Sequence, residues 1–519
     1  MTVMPRGARQ HHTAWLILAL TGLAFALRAG GLTAQSLWRD EVDALRFSTQ
    51  ALPALLEMFR RQGENGPLFF LALRPWLAVA GTSEYALRFP AALAGTLATP
   101  VVYALLCRLT VRLSAHDEAR QRGAALITAA LLATAPYAVW YGQEAKMYAA
   151  LLLWLPLTIY LTVRASWDGG AWRWLLLYCI TSLGFYLHLL AALAVPVQAV
   201  WLLLLPALAR TRTAGWARRR RLIGLLYLAL LLLPYLPFAR WQAPLWLAAD
   251  TQTGYPFVPL PSILLVLWVA FSRGILPVTD PATLLPITLA WLVGIGLWAG
   301  LRRRALGEDW LGRRRWIVIG LLLVWLLWPP VGIYIISLRR PLFADRYLIW
   351  ALPAFLALAG LGLAALARVP GPQARAGWRP LAAALFGIVL ALNLTAVAGQ
   401  MAQPIKSDFR AATRFVLTHR QAGDQLLFQI PYGRYSFVYY GGELAQWLDG
   451  PYTNHGMSAA ELAAVMTGAT AGVSAIWLIA TEMPMWDDRG LTEAWLKAHG
   501  QTTHRAEFAR VAVTRYQLR

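Results

Sequence analysis

Eleven apolar runs, most of them close to the length of a membrane span, constrain this chain more than any other feature. They lie near 14–32, 90–108, 123–140, 147–164, 172–190, 191–209, 221–238, 283–301, 316–336, 347–367 and 380–399. A helix rises about 1.5 Å per residue, so roughly 20 apolar residues cross the ~30 Å hydrocarbon core. Inside lipid the backbone can satisfy its polar groups only in helices or closed barrels. The pattern predicts a polytopic α-helical membrane protein. Composition agrees: with 58% hydrophobic residues, 14% charged residues and a mean hydropathy of +0.50, a soluble globule is excluded. A net charge of +22 would suit a nucleic-acid binder, but the arginines sit in short loops between apolar runs. That is the pattern of cytoplasmic loops, and it argues against a nucleic-acid partner.

With the N-terminus inside, the loops holding Arg108, Arg112, Arg120 and Arg122, then Arg210, Arg212 and Arg218 to Arg221, then Arg302 to Arg304 with Arg313 to Arg315, and finally Arg368, Arg375 and Arg379, all face the cytoplasm. The same count makes Pro261 to Val278, which contains Ser272-Arg273-Gly274, an interfacial or re-entrant helix on the outer side. Gln50 to Phe89, interrupted by Arg60, Arg61, Glu64, Arg74, Glu84 and Arg88, reads as juxtamembrane helices. The first run is read as a retained helix rather than a cleaved signal, since many spans follow it. Lys is nearly absent, with only Lys146, Lys406 and Lys497, and Cys107 and Cys179 both lie in apolar segments, so neither a disulfide framework nor a thiolate metal site follows.

Beyond about Gln400 the character becomes that of a soluble α/β domain, residues 401–519, outside the membrane after an odd number of spans. Helices are expected over Asp408 to His419, Ser458 to Thr467 and Leu491 to His499, and strands over Asp424 to Ile430, Val473 to Ala480 and Phe508 to Tyr516. Residues 1–400 form the membrane domain, with 35–90 as its first outer loop.

The polar residues at the outer ends of the spans converge on one membrane face: Asp40, Glu41, Asp43, Asn65, Glu144, Lys146, Tyr148, His188, Arg339, Arg340, Asp345, Arg346 and Tyr347. Ionisable groups at span ends are costly unless they pair or meet water, so their number on one side suggests an outward polar cavity. Each also has a plainer reading. Asp40 and Glu41 suit the start of the next helix, Glu144 and Lys146 neutralise each other, and Arg339 and Arg340 suit lipid phosphate.

Several motifs resemble glycosyltransferase family 39 and its bacterial relatives, the protein O-mannosyltransferases and lipid A aminoarabinose transferases of the GT-C membrane fold. They are Asp40-Glu41 after the first run, Gly66-Pro67-Leu68-Phe69-Phe70, Gly81 to Pro90, Tyr141-Gly142-Gln143-Glu144-Ala145-Lys146-Met147-Tyr148, Tyr186-Leu187-His188 and Pro341 to Tyr347. The resemblance covers roughly 14–400. Two positions depart from it: Asn65-Gly66-Pro67 stands where relatives often carry His-Pro-Pro or Lys-Pro-Pro, and Lys146 stands where Arg is frequent, keeping charge without the bidentate fork.

The resemblance implies transfer of a sugar from a polyprenyl-phosphate donor to an acceptor hydroxyl at the outer membrane surface, with inversion. Asp40, beside Glu41, is the expected base. Arg346 and Tyr347, with Lys146 and Arg340, are expected at the donor phosphate, and Glu144, His188, Tyr148 and Asn65 are expected to support substrate. Asp40, Glu41 and Glu144 are also candidates for a divalent cation, Mg or Mn. The acceptor class (protein, lipid or glycan) stays open. So do two other readings: a polyprenyl-phosphate flippase, which would need polar sites through the bilayer midplane, and a non-catalytic scaffold.

Overall fold

The computed structural model describes residues 6–58, 66–111, 118–208, 213–247, 253–276, 284–301, 315–367 and 374–519. Asn65 and much of the arginine-rich loop sequence lie outside these residues. The chain divides into two compact units. The first holds residues 1–32, 50–81 and 88–400, and the second holds residues 33–49, 82–87 and 401–519. The loop that follows the first span therefore groups in part with the C-terminal sequence.

The first unit is helical. Among the described residues, eight helices are long and apolar enough to cross a membrane, running from His11–Ala29 to Trp378–Ala402, and a ninth span forms if the bent pair Arg122–Thr134 and Pro136–Gly142 counts as one. The apolar runs expected near 172–190 and 283–301 are the shorter helices Ala171–Leu187 and Leu284–Leu301. Within the expected juxtamembrane stretch stand Leu52–Met58 and Leu68–Ala80. Its last residues instead begin the long helix Glu84–Val111, which continues through Pro90. The outer segment near 261–278 is the helix Leu260–Arg273, whose 14 residues are too few for a perpendicular crossing.

The bend of 54° between Thr134 and Pro136 has an identifiable cause. Proline lacks the N–H that would continue the ladder, so carbonyls upstream lose their partners. Fully buried Arg28 supplies them: Nη1 donates to Ala133 O at 3.1 Å and to Ala24 O at 2.9 Å, and Nη2 to Leu132 O at 3.4 Å. Gln400 Nε2 donates to Pro136 O at 3.0 Å, and Gln143 Nε2 to Leu27 O at 2.8 Å. A Cβ on Gly142 would stand 2.9 Å from Arg28 Cδ, so the glycine makes room for the guanidinium stem. Elsewhere small residues allow close helix approach. A Cβ on Gly362 would fall 1.8 Å from Leu292 O, and one on Gly296 would fall 2.3 Å from Leu358 O.

The second unit carries a five-stranded sheet: β1 (Gln425–Phe428), β2 (Leu448–Asp449), β3 (Ala475–Thr481), β4 (Gly500–Phe508) and β5 (Val511–Leu518), in the order β2-β1-β3-β5-β4. β1 pairs in parallel with β2 and β3, while β5 runs antiparallel to β3 and β4. Both faces of the sheet are covered, so β3 is buried throughout and reads as the unbroken apolar run Ala-Ile-Trp-Leu-Ile-Ala-Thr. Phe409, Val416, Phe428, Phe437 and Trp477 pack on one face, and Leu427, Leu462, Met466, Leu478 and Leu496 on the other. The expected helices appear as Phe409–His419, Ala459–Ala469 and Leu491–His499. Ser458 and Glu461 close a capping box at the second of these. The single strand expected at the C-terminus is a hairpin of β4 and β5, and the helix Gly433–Gly441 adds to the reading from sequence.

Candidate active site

The acidic cluster opens the helix Arg39–Thr49, with Asp40 and Glu41 in its first turn, where carboxylates meet the positive end of the helix dipole. The two are not equivalent. Glu41 is 0% exposed and accepts from Lys406 Nζ at 3.0 Å, and the lysine is itself 5% exposed. Asp40 keeps access to solvent and lies 3.5 Å from Arg39 Nε. The Arg39 guanidinium reaches Glu482 at 3.6 Å and lies 4.5 Å from the centre of the Tyr432 ring. Burial works against its charge, but Asp40, Tyr432 and Glu482 together hold its pKa above the ordinary arginine value. Asp43 is held by Arg46 at 2.8 Å, and Arg46 stacks 3.7 Å over Tyr435.

This segment is anchored by Gln35, whose Oε1 accepts from Ile405 N at 3.0 Å and Lys406 N at 3.2 Å. Tyr440 OH accepts from Leu37 N at 2.7 Å and donates to Glu84.

The other candidate residues gather in the membrane unit, where the bent span ends and the helix Tyr148–Asp168 begins. A tight turn, with Lys146 N donating to Glu144 O at 2.7 Å, joins the two. Glu144 is buried there. Arg346 Nε donates to Tyr148 OH at 3.0 Å, and its guanidinium lies 5.7 Å from the Tyr347 ring centre. Asp345 accepts from Tyr137 OH at 3.0 Å, and Tyr347 shares a hydrogen bond of 2.6 Å with Tyr255. His188 packs on Tyr347, ring centres 5.0 Å apart. Its Nδ1 accepts from Leu190 N at 3.1 Å, which assigns the proton to Nε2. That Nε2 is buried with no hydrogen-bond partner among the described residues, a donor with nothing to donate to.

Lys146 also heads a groove of about 480 Å³ whose walls include Leu73, Trp76, Phe89, Leu153, Trp154 and Leu183; among its lining residues the lysine carries the one charge. Arg340 is buried immediately before this cluster in sequence, and Arg339 is exposed. Tyr137, Tyr255, Lys406, Tyr432 and Glu482 were not singled out from the sequence. Lys406 had a usable signal, as one of three lysines in an arginine-dominated chain. Glu41 is committed to Lys406, and among the described residues no three His, Cys, Asp or Glu side chains gather to hold an ion.

An apolar groove ending in a lysine, with an arginine, four tyrosines and a histidine N–H in the same unit, is suited to a long apolar molecule with an anionic head. Residues 64–241 match the model of a family described as dolichyl-phosphate-mannose-protein mannosyltransferase. The chain superimposes on ArnT from Cupriavidus metallidurans, in the apo state and bound to undecaprenyl phosphate. In both, the TM-score is 0.54 at 13% identity, over 97% of this chain and 98% of the other. It also superimposes on the archaeal oligosaccharyltransferase AglB from Archaeoglobus fulgidus, in complex with an inhibitory peptide and a dolichol-phosphate. There the TM-score is 0.54 at 11% identity, over 97% of this chain and 74% of the other.

The chain has the GT-C fold of membrane glycosyltransferases. No curated protein matches the sequence. At such identities the likeness carries architecture, and the chemistry has to be argued from the site.

Proposed function

We propose that this chain transfers a sugar from a polyprenyl-phosphate-linked donor to an acceptor hydroxyl at the outer face of the cell membrane, with inversion at the anomeric carbon. The observation that carries this is the apolar groove headed by Lys146, with Arg346, Tyr148 and the unpartnered His188 Nε2–H in the same unit. In this reading the groove takes the first isoprene units of the donor, and Lys146, Arg346 and His188 meet its phosphate. Undecaprenyl phosphate and dolichol-phosphate on the two structural neighbours support that choice of lipid.

In the reaction, the acceptor oxygen bonds to the anomeric carbon as the bond from that carbon to the phosphate oxygen breaks. The electron pair leaves with the polyprenyl phosphate, whose added charge the guanidinium and ammonium groups stabilise. The acceptor proton passes to Asp40, the solvent-reaching member of the acid pair, a contribution of about 10²–10⁴-fold. Glu41, bound to Lys406, holds the helix that carries Asp40 and takes no proton. No step is routed through a divalent cation. The Arg-rich loops support an N-terminus on the cytoplasmic side and residues 401–519 outside.

The test is the affinity of the purified chain for undecaprenyl phosphate. Hydrogen bonds to charged groups are worth about 1.5–3 kcal/mol, or roughly 10–100-fold. Arg346→Lys should therefore weaken binding, Arg346→Ala should weaken it further, and Lys146→Met should weaken it too. Wild-type affinity in all three would remove the donor site from this cluster.

A further inference from the structure

The second unit carries a surface that the transfer step leaves unused. Tyr432 follows β1, Tyr452 follows β2, and Glu482 and Trp486 follow β3, so all four lie beyond the carboxyl ends of the three parallel strands. In open α/β sheets ligands bind at that edge, where the strand order reverses. Here the reversal is at β1, flanked by β2 on one side and β3 on the other.

The rings of Tyr452 and Trp486 lie 4.7 Å apart, those of Tyr432 and Trp486 6.4 Å, and those of Tyr452 and His455 4.4 Å. None of the four is buried. Beside them Glu482 accepts from Tyr432 OH at 3.3 Å and faces Arg39 at 3.6 Å. Glu482 has φ 47° and ψ 35°, a left-handed conformation that a non-glycine residue adopts at a cost.

The platform is rigid. Trp486 Nε1 donates to Gly450 O at 2.9 Å, and Thr453 N donates to Trp486 O at 3.0 Å. Asn454 joins the two loops through Pro484 O at 3.0 Å and Asp488 N at 2.9 Å. Buried Asp487 accepts from Thr453 Oγ1 at 2.6 Å and Thr492 N at 2.9 Å. Gly450 admits no side chain, because a Cβ there would stand 2.4 Å from Gln429 O.

Partly exposed rings held this firmly, next to a carboxylate and a guanidinium, match one class of ligand. A sugar ring presents an apolar C–H face to an aromatic plane and a rim of hydroxyls to charged groups. An extended peptide would need a strand edge or a long apolar groove, and the free edge at this end, β2, is two residues long. We propose that Tyr432, Tyr452, Trp486, Glu482 and Arg39 form a carbohydrate-binding subsite, and that the acceptor is a glycan. The acceptor role rests on the transferase reading, whereas the binding chemistry does not.

The test is a glycan microarray that also carries Ser/Thr-rich peptides, probed with the full-length chain in detergent, alongside a separate measurement of undecaprenyl phosphate binding. The expected result is binding to oligosaccharides that falls about tenfold or more in Tyr452→Leu and in Trp486→Ala, while Arg346→Ala binds glycans as the wild type does. Tyr452→Leu keeps bulk and removes only the ring, which guards against a folding loss in Trp486→Ala. Absence of glycan binding, binding of peptides instead, or wild-type binding by both ring variants would overturn the subsite. Glycan binding by a chain that ignores undecaprenyl phosphate would sink the transferase reading and leave the subsite standing.

Discussion

Adjacent carboxylates in one helical turn, Asp40 and Glu41, stand in different surroundings, one reached by solvent and one buried on a lysine. From sequence, Asp40 was already the expected base, but what separates it from Glu41 was not legible, because the partner of Glu41, Lys406, is hundreds of residues away. Burying an ion pair is weak evidence for stability, but removing one member is costly, since the other charge stays buried without its counter-ion. Lys406→Met should therefore loosen the helix Arg39–Thr49 by about 3–5 kcal/mol, read as faster amide hydrogen exchange there. The double change Glu41→Met with Lys406→Met should restore most of the protection and keep turnover. A double variant that is well protected but about 10²-fold slower would instead give Glu41 a chemical role. His188 was singled out from its place at a span end. What the sequence could not show is its tautomer, set by the Leu190 N–H.

Among the elements, local pattern reported what local physics controls. The helix that starts at Ser458 and the buried strand β3 were both readable, since each depends on neighbours in sequence. β4 was not, because its outward side chains are polar and it is a sheet edge, where alternation carries little hydrophobic signal. The break at Pro136 was also hidden, since a proline in an apolar run leaves open whether its freed carbonyls find donors. Arg28 provides them, so Arg28→Met should lower the thermal midpoint in detergent clearly more than Arg164→Met, a change to a partly exposed arginine of another span. Equal midpoints would mean that the carbonyls find other partners.

In the sheet unit, burial alone would raise the Asp424 carboxyl, but Arg515 at 2.8 Å, the Gln421 N–H and the Trp477 indole hold it below the ordinary carboxylate value. A depressed folded pKa stabilises above the unfolded value and is lost as pH falls through the folded one. Amide protection of β1, β3 and β5 should thus be constant around neutrality, decline at acid pH below about 4, and lose much of that pH dependence in Asp424→Asn. A decline that begins near pH 6 would point to another group.

At the scale of the whole molecule, the apolar runs and the arginine bias were enough to read a multi-span membrane protein, because lipid leaves the backbone so few choices. The grouping of residues 33–49 and 82–87 with the C-terminal sequence was not readable, since it rests on long-range contacts such as Gln35 to Ile405 and Arg410 to Glu84. Sugar transfer by this chain would change two pools at once, the lipid-linked donor and the glycan it extends. Mass spectrometry of lipids and surface glycans should compare cells carrying the wild-type chain, no chain, and Asp40→Asn. A polyprenyl-phosphate-sugar should accumulate, and a glycan mass one sugar smaller should replace its parent, both without the chain and with Asp40→Asn. Unchanged lipid and glycan pools in cells lacking the chain would contradict sugar transfer by this chain.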